Sequence, residues 1–238
     1  MAFNDLDLSE RLDLAREGTA YFARYLAALS DADLSGPSLL GGWTRKHLVA
    51  HVAYNAAALC RILDWAATGV ETPMYESMEQ RAQEIEEGAT LSAGSLRNLF
   101  AERAAQLDEK WRNLPEEAWA AQVRTAQGRT VPASETAWMR NREVWIHAVD
   151  LGNGGGFEDF PDVVLDSLLD DIVGMWRRKG EGSGLVLEVD ERRFVVVADG
   201  APVTDTVAGP LASVVRWASG RGAVGLTAGS GLQPPRWL

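Results

Sequence analysis

Apolar side chains recur at spacings of three, four or seven through most of the first 150 residues of this 238-residue chain. Residues at that spacing share one face of a helix, so the pattern predicts a series of amphipathic helices. In the second of these, Thr44 is in position to cap the helix, which ends near Gly69. Helices joined by moderate loops indicate a helical bundle. The four helices of the predicted bundle cover residues 9–29, 45–69 and 95–114 and a last segment from Pro132 through NREVWIHAVD, and residues 75–87 are consistent with an additional short polar helix.

The helical pattern gives way at the segment LGNGGGFEDFP, residues 151–161, which contains four glycines and closes with a proline. Such a segment is typical of a linker, so we predict a first domain at residues 1–152 and a second at 158–238. Beyond it, residues 161–179 predict a helix, and GPLASVVRWASGRG predicts a short helix that ends at Gly220. The runs LVLEV and RFVVVADG, separated by DER, predict a β-hairpin, and AVGLTAGS predicts a last strand. The predicted fold class is α+β, an N-terminal four-helix bundle followed by a smaller α/β domain.

The charge and the cysteine content exclude several classes of protein. With a formal net charge of -11 and no local basic patch, the chain repels phosphate backbones and anionic lipid surfaces. We therefore expect no nucleic-acid partner and no membrane partner. The lone Cys60 excludes an intrachain disulfide, and the acidic N-terminal sequence lacks the basic start and apolar core of a signal peptide. We expect a soluble, cytoplasmic protein.

Glu143 and His147 stand four residues apart in the helix that contains NREVWIHAVD. Residues at that spacing share one helical face, with Cβ atoms about 5–6 Å apart, so both can bind one ion. His51, from another predicted helix, would supply a third ligand. Two imidazoles and a carboxylate suit Zn²⁺, and three protein ligands leave a position open for water, substrate or a thiol, as in catalytic sites.

Other interpretations of these residues remain open from spacing alone. Glu and His four residues apart also form hydrogen-bonded pairs within a helix without any metal. In the segment HLVAH, His47 and His51 make a rival pair of ligands, and spacing does not choose between the two histidines. Cys60 follows His51 by about two and a half helical turns and so points to a different side of the helix. We interpret Cys60 as a buried packing residue.

Arg221, in the segment SGRGAVG, has small neighbours that leave its guanidinium accessible. It could therefore bind an anion. The alternative is a structural role, in which a cation at the end of a helix complements the helix dipole.

Two segments resemble those of a known family. GGWTRKHLVAHVAYN resembles the GWT…AH segment of the mycothiol-dependent maleylpyruvate isomerases, and NREVWIHAVDLG resembles their E-V-W-x-H-A-x-D-L segment. That family joins a DinB-like, metal-binding four-helix bundle to a smaller α/β domain similar to sterol carrier proteins. GPLASVVRWASGR resembles the G-x-x-x-x-L-x-x-W-x-x-G-R pattern of the smaller domain. The resemblance covers nearly the whole chain and implies the same two-domain fold.

The resemblance also implies a set of metal ligands. By position in the family motifs these are His51, Glu143 and His147, and His47 has no such role. Asp150, one turn after His147, would either accept a hydrogen bond from that histidine or contact solvent at the end of the helix.

The implied reaction turns the cis double bond of maleylpyruvate into the trans bond of fumarylpyruvate, a step of gentisate degradation. The implied cofactors are Zn²⁺ or another divalent metal, and mycothiol. A thiolate, favoured at neutral pH by metal coordination, adds to the alkene to give an enolate. Rotation about the new single bond and expulsion of the thiolate then give the trans product. The metal can instead polarise the substrate carbonyl.

The implied partners are a small dicarboxylate substrate and a low-molecular-weight thiol. A dicarboxylate that enters an acidic protein needs a guanidinium to hold it and to balance the enolate charge. Arg221 is the predicted catalytic residue, and Arg81, in the polar segment after the second helix, is a weaker alternative.

Two rival functions fit the same residues. A mycothiol S-transferase of the DinB-like group would use the same ligands but release a stable thioether. A non-enzymatic module that binds a metal or a lipid would instead have a closed metal site with four ligands and a long apolar tunnel in the second domain.

Overall fold

The computed structural model describes residues 3–190, 192–197 and 200–237, and these residues divide into two compact units. Leu6–Gly155 form the first, called the bundle unit below, and the residues before Leu6 and after Gly155 form the second unit. The predicted first domain begins at the first residue of the chain. Phe3 nevertheless belongs to the second unit, where its backbone N–H donates to Ser167 Oγ at 2.8 Å.

The bundle unit contains the helices predicted for the first half of the chain, with ends that shift by a few residues. Thr44 precedes the second helix as its N-cap and Gly69 follows it as its C-cap, as predicted. Pro132 is followed by a short 3₁₀ turn before the last helix begins. The helices are α1 (Leu8–Ala28), α2 (Arg45–Thr68), α3 (Met78–Ala89), α4 (Ala93–Asn113) and α5 (Thr136–Asp150).

Polar side chains next to the helix N-termini explain where several helices begin. Asp7 and Glu10 form a reciprocal cap at α1, in which each carboxylate accepts the backbone N–H of the other residue at 2.9 Å. Ser77 Oγ accepts the N–H of Gln80 at the start of α3, at 3.1 Å. These caps satisfy backbone donors that have no partner within the helix.

Close packing between helices defines the interior of the bundle unit. Helix α1 lies against α5, and α2 contacts α3, α4 and α5. A Cβ atom at Gly18 of α1 would lie 2.6 Å from Val144 Cγ2, so glycine is required for this approach of α1 to α5. The rings of Tyr21 and Trp145 pack at the same contact, with centroids 4.9 Å apart. Because α2 contacts three other helices, residues on its buried face are held in fixed positions.

A short β-hairpin precedes α5 and is not predicted from the sequence. Strand β1 (Gln122–Arg124) pairs antiparallel with β2 (Thr130–Pro132), and the buried Val123 faces the buried Val131. Each strand has three residues, which is too short for a recognisable alternating pattern.

The second unit combines helices with a three-stranded sheet. Its central strand β3 (Leu185–Val189) pairs antiparallel with β4 (Arg192–Val195), which confirms the predicted hairpin, and parallel with β5 (Asp205–Gly209). Glu191, Ala198 and Asp199, which the prediction places in the turn and in the second strand, lie outside the described residues. The elements are α6 (Asp162–Lys179), β3 (Leu185–Val189), β4 (Arg192–Val195), β5 (Asp205–Gly209) and α7 (Leu211–Ala218).

The predicted last strand, AVGLTAGS at residues 223–230, is wrong. This segment forms turns and makes one isolated bridge, between Ala228 and Ala208. Gly225 and Gly229 adopt positive φ values of 82° and 76°, which are incompatible with a strand. The third strand is β5, a short strand that begins with Asp205 and ends with Gly209, two residue types that are uncommon in strands, and it therefore gives a weak signal in the sequence.

Helix α7 packs on α6, β3 and β5. Val186 and Leu187, neighbours on opposite faces of β3, are both fully buried. Trp176 of α6 and Trp217 of α7 pack edge to face, with ring centroids 6.2 Å apart. Together with the bundle unit, this sheet and its helices confirm the predicted α+β class.

Across the residues that the structure describes, no helix combines the length and the apolar character needed to cross a membrane.

Candidate metal centre

His51 of α2 and Glu143 and His147 of α5 converge inside the bundle unit, and these side chains are called the ligand triad below. His51 Nε2 lies 2.8 Å from Glu143 Oε2 and 3.2 Å from His147 Nε2. His147 Nε2 lies 3.2 Å from the same Glu143 oxygen. The structure thus brings together the three side chains that the sequence analysis selects as ligands.

The segment before α2 is tied to the end of α5. The N–H of Leu39 donates to the carbonyl of Asp150 at 2.8 Å, and Arg45 Nε donates to the carbonyl of Leu151 at 2.6 Å. Arg45 is the first residue of α2, and Leu151 is the C-cap of α5. These bonds fix the start of one helix against the end of the other and so place His51 opposite His147.

His147 is oriented by a buried carboxylate. Its Nδ1 lies 2.8 Å from Asp150 Oδ2, and Asp150 is fully buried. A carboxylate accepts, so Nδ1–H donates to it and the lone pair of a neutral ring lies on Nε2, toward the other ligands. Burial lowers the pKa of His147, but the hydrogen bonds to Asp150 and Glu143 outweigh burial and raise that pKa overall. Of the two predicted roles for Asp150, the structure supports the hydrogen-bond acceptor.

For Glu143 and His51, burial and the neighbouring charges shift the pKa in opposite directions. Burial raises the pKa of Glu143, but the charges and hydrogen bonds of His51 and His147 outweigh it and hold this pKa well below its usual range. Burial lowers the pKa of His51 more than Glu143 raises it. The site therefore favours an ionised Glu143 beside a neutral His51, which suits ligation, whereas the raised pKa of His147 favours its protonated form, whose proton a bound cation would have to displace.

The chemistry of this donor set fits a divalent transition metal. Two imidazole nitrogens and one carboxylate oxygen lie within 4.8 Å of one another, and such nitrogen and oxygen donors suit Zn²⁺. The Glu143 and His147 side chains keep 19% and 14% of their surface exposed, so a bound ion would be reachable from outside. Three protein ligands with access to solvent are typical of a catalytic metal site rather than a structural one.

His47 lies outside the ligand triad. Its Nδ1 is 2.6 Å from Thr44 Oγ1 and 3.3 Å from the backbone nitrogen of Thr44, at the start of α2. Its Nε2 lies 3.3 Å from Glu86 Oε2. His47 therefore belongs to the N-terminal cap of α2.

Cys60 is half-buried rather than fully buried, and it lines a cavity of about 420 Å³ together with Leu63, Asp64 and Lys110. Burial raises the pKa of the Cys60 thiol to about 11. At neutral pH the side chain is therefore the weakly nucleophilic thiol, not the thiolate.

Arg221 belongs to the second unit, where it follows α7. Its Nη1 donates to the carbonyl of Ser219, the C-cap of α7, at 2.6 Å, and Arg216 Nε donates to the Arg221 carbonyl at 2.9 Å. The first contact fits the structural alternative of a cation at a helix end. A catalytic role for Arg221 stays a prediction.

Further side chains lie next to the ligand triad. The ring of Trp43 packs 5.4 Å from that of His51, and Arg81 Nη2 lies 3.1 Å from His51 Nδ1. Tyr75 contacts Arg81, whose Cζ lies 5.7 Å from the ring centroid. Trp43 belongs to the motif GGWTRKH, so the family motif could have predicted that it lies near the triad. No spacing rule connects Tyr75 to the triad.

Removing the carboxylate behind His147 should weaken metal binding. In Asp150→Asn the side chain no longer offers a charged acceptor to Nδ1–H, and the loss of such a contact typically lowers metal affinity about 10–100-fold. Chelator competition at fixed pH measures the effect. Glu86→Gln is the matched control, because it removes a carboxylate from His47, and it should leave the affinity unchanged. Equal affinities for Asp150→Asn and the wild type would contradict the proposed orientation of His147.

Comparisons with known proteins agree with this geometry. The family model described as the mycothiol maleylpyruvate isomerase N-terminal domain matches residues 15–152. The search of curated proteins found no match. Among solved structures, a crystal structure of the mycothiol-dependent maleylpyruvate isomerase is 52% identical, covers 100% of both chains and superposes with a TM-score of 0.93. A histidine-to-alanine mutant of that isomerase matches with the same identity, coverage and TM-score. The chain therefore belongs to the family of mycothiol-dependent maleylpyruvate isomerases.

Proposed function

We propose that this chain catalyses the mycothiol-dependent cis–trans isomerisation of maleylpyruvate to fumarylpyruvate, with Zn²⁺ or another divalent cation held by His51, Glu143 and His147. One observation carries the proposal. Three side chains with metal-ligating atoms converge in a chain that is 52% identical, over its full length, to a mycothiol-dependent maleylpyruvate isomerase.

The residues of the bundle unit have distinct roles in this proposal. Bound at the triad, a divalent cation supplies Lewis acidity, which favours the thiolate form of mycothiol or polarises the substrate carbonyl. Glu143 contributes a negative charge to the site, and Asp150 fixes the ring of His147 through Nδ1–H. His51 brings the third ligand from the opposite helix.

A guanidinium has to hold the carboxylates of the substrate, because the chain carries a net charge of -11 and would otherwise repel a dicarboxylate. We assign this role to Arg221. A planar guanidinium forms two parallel hydrogen bonds to one carboxylate and also stabilises the charge of the enolate.

Cys60 should be dispensable for isomerisation, because its raised pKa of about 11 leaves it protonated at neutral pH and mycothiol supplies the nucleophile. We expect Cys60→Ser to retain most of the wild-type kcat/KM with mycothiol present, and we expect slow alkylation of the wild-type thiol by iodoacetamide at pH 7. Loss of turnover in a folded, metal-loaded Cys60→Ser protein would exclude mycothiol as the sole thiol nucleophile.

An S-transferase is the second candidate function, since it would use the same ligand triad. The two reactions differ in the fate of the thiol. An isomerase releases mycothiol unchanged after each turnover, whereas a transferase consumes one thiol for each product molecule.

Thiol counting during turnover therefore tests the proposed function. Maleylpyruvate is supplied in large excess over mycothiol, the product is identified by proton NMR, and free thiol is titrated at intervals. We expect complete conversion to fumarylpyruvate with a constant thiol concentration. Conversion that stops when the thiol is exhausted, with a thioether as product, would establish the transferase instead.

A further inference from the structure

A cavity of about 350 Å³ lies between α1 and α4 in the bundle unit. Helix α1 packs mainly on α5 and α4 packs mainly on α2, so α1 and α4 contact each other only sparsely. One of their contacts is between the rings of Phe22 and Phe100, whose centroids are 5.0 Å apart. Another is the ion pair of Arg16 Nε with Asp108 Oδ1 at 2.7 Å. The cavity therefore lies where these two helices are not closely packed.

Small and apolar side chains form most of the lining of this cavity. Alanines from both helices contribute only single methyl groups, which leave the space between α1 and α4 open. Phe100, Leu107 and Trp111 add buried apolar surface. A concave site of this size with an apolar lining suits the body of a small molecule. The alanines are Ala20 and Ala23 of α1 and Ala101, Ala104 and Ala105 of α4.

Arg140 of α5 also lines the cavity, and its side chain is buried, with 1% of the residue exposed. Its Nη1 donates to the carbonyl of Val52 at 2.7 Å and to Asn55 Oδ1 at 3.0 Å, and both acceptors are neutral groups of α2. Its Nη2 is buried and has no hydrogen-bond partner among the described residues. Burial lowers the pKa of Arg140 to about 10, so the guanidinium remains charged at neutral pH.

A buried cation is normally paired with an anion, because the charge loses its hydration when it leaves water. The charge of Glu143 favours the cationic form of Arg140. However, Glu143 Oε2 is hydrogen-bonded to His51, and Nη1 of Arg140 donates to neutral oxygens instead. The guanidinium thus lines an apolar cavity with one N–H₂ group that lacks both an acceptor and a paired negative charge.

We propose that this cavity binds a small molecule with one carboxylate and an apolar body, and that the carboxylate accepts a hydrogen bond from Arg140 Nη2. A carboxylate supplies an acceptor and a negative charge together, whereas a neutral group supplies only the acceptor. The rings of Phe100 and Trp111 favour an aromatic body. The lining residues of the cavity do not include the ligand triad, so the inference is independent of the proposed function.

The charges at the edge of the cavity permit an anion to enter. Asp108 is the carboxylate of the lining, and its two oxygens pair with Arg16 at 2.7 Å and with Arg112 at 3.1 Å. An incoming anion therefore meets a carboxylate that two guanidiniums already neutralise.

NMR titration of the zinc-loaded protein with benzoate tests the proposal. The methyl signal of Ala101 reports binding in this cavity, so a carboxylate bound elsewhere on the protein is not counted. Benzamide is the matched uncharged probe, because it has the same ring and a carbonyl acceptor. We expect benzoate to bind at millimolar concentrations and benzamide to bind about 10-fold more weakly or worse, since hydrogen bonds between charged groups are the stronger ones.

Two variants separate the guanidinium from the space that it faces. Arg140→Gln should bind benzoate about 10–100-fold more weakly, as for the loss of a hydrogen bond to a charged group. Ala104→Leu keeps Arg140 but fills the cavity, so it should abolish the benzoate shift at Ala101. This second variant tests the site even where Arg140→Gln does not fold, which its melting temperature shows. Ala27→Leu, at an exposed position of α1 outside the cavity, is the control and should bind benzoate like the wild type.

Several results would overturn the inference. Equal affinities for benzoate and benzamide, or an unchanged benzoate affinity in folded Arg140→Gln, would show that the guanidinium does not bind the carboxylate. An unchanged benzoate affinity in Ala104→Leu would show that the ligand does not occupy the cavity. No shift at Ala101 with the wild type would leave Arg140 as a structural residue that joins α5 to α2.

Discussion

His51→Ala is expected to lose the bound metal and almost all isomerase activity. The alanine removes the ligand that we propose for α2, and the other two proposed ligands, Glu143 and His147, lie on a single helix, α5. A metal stabilises the charge of a transition state by several kcal/mol, so kcat/KM should fall about 10³-fold or more. Elemental analysis of the purified variant, together with its kcat/KM, measures both effects.

His47→Ala is the matched control for this experiment. His47 lies on the same helix but contacts Thr44 and Glu86, so its loss removes part of the α2 cap. We expect full metal occupancy and near wild-type turnover, with a loss of stability of about 1 kcal/mol. Full occupancy in His51→Ala, with metal loss in His47→Ala, would show that the wrong histidine is assigned.

Arg221→Lys is expected to keep the fold and the metal but to lose about 3 kcal/mol of transition-state stabilisation, or roughly 10²-fold in kcat/KM. Lysine keeps the positive charge but cannot form the paired hydrogen bonds of the guanidinium. The fold should survive because Arg216 holds the turn after α7, through the hydrogen bond from its Nε to the Arg221 carbonyl, and the substitution leaves this bond in place. A lysine can also donate to the carbonyl of Ser219.

The measurements for Arg221→Lys are kcat/KM, metal content and the melting temperature. Arg216→Lys provides the contrast, since Arg216 Nε holds the turn after α7 and its replacement should lower the melting temperature rather than kcat/KM. Near wild-type kcat/KM for Arg221→Lys would contradict the catalytic role. A collapse of its melting temperature would instead show that Arg221 serves the end of α7.

The sequence predicts those features of the fold that depend on residues close together in the chain. The spacing of apolar residues gives the helices, Thr44 gives the start of α2, and the four-residue interval gives the shared face of Glu143 and His147. The choice between His47 and His51 is different, because it depends on which turn of α2 faces α5. That contact is set by long-range bonds such as the one from Arg45 to Leu151. Here the family resemblance, not the spacing, favours His51 as the proposed ligand.

Two predictions for the second unit fail for similar reasons, namely the strand predicted at residues 223–230 and the strand β5 that is not predicted. The segment at residues 223–230 has apolar residues at alternating positions, but Gly225 and Gly229 adopt positive φ values that a strand does not allow. At Gly225 a Cβ atom would lie 2.3 Å from Ser213 Oγ of α7. Strand β5 forms because it pairs in parallel with β3, a partner that is distant in sequence. Such pairings leave little trace in a single sequence.

We predict that isomerisation requires both a metal at the ligand triad and mycothiol. The most direct measurement follows the ultraviolet absorbance of maleylpyruvate with the metal-free and the zinc-loaded protein, each with and without mycothiol. We predict conversion to fumarylpyruvate with the zinc-loaded protein and mycothiol together, and no enzymatic conversion in the other three mixtures. Equal rates with and without mycothiol, or with and without metal, would contradict the account.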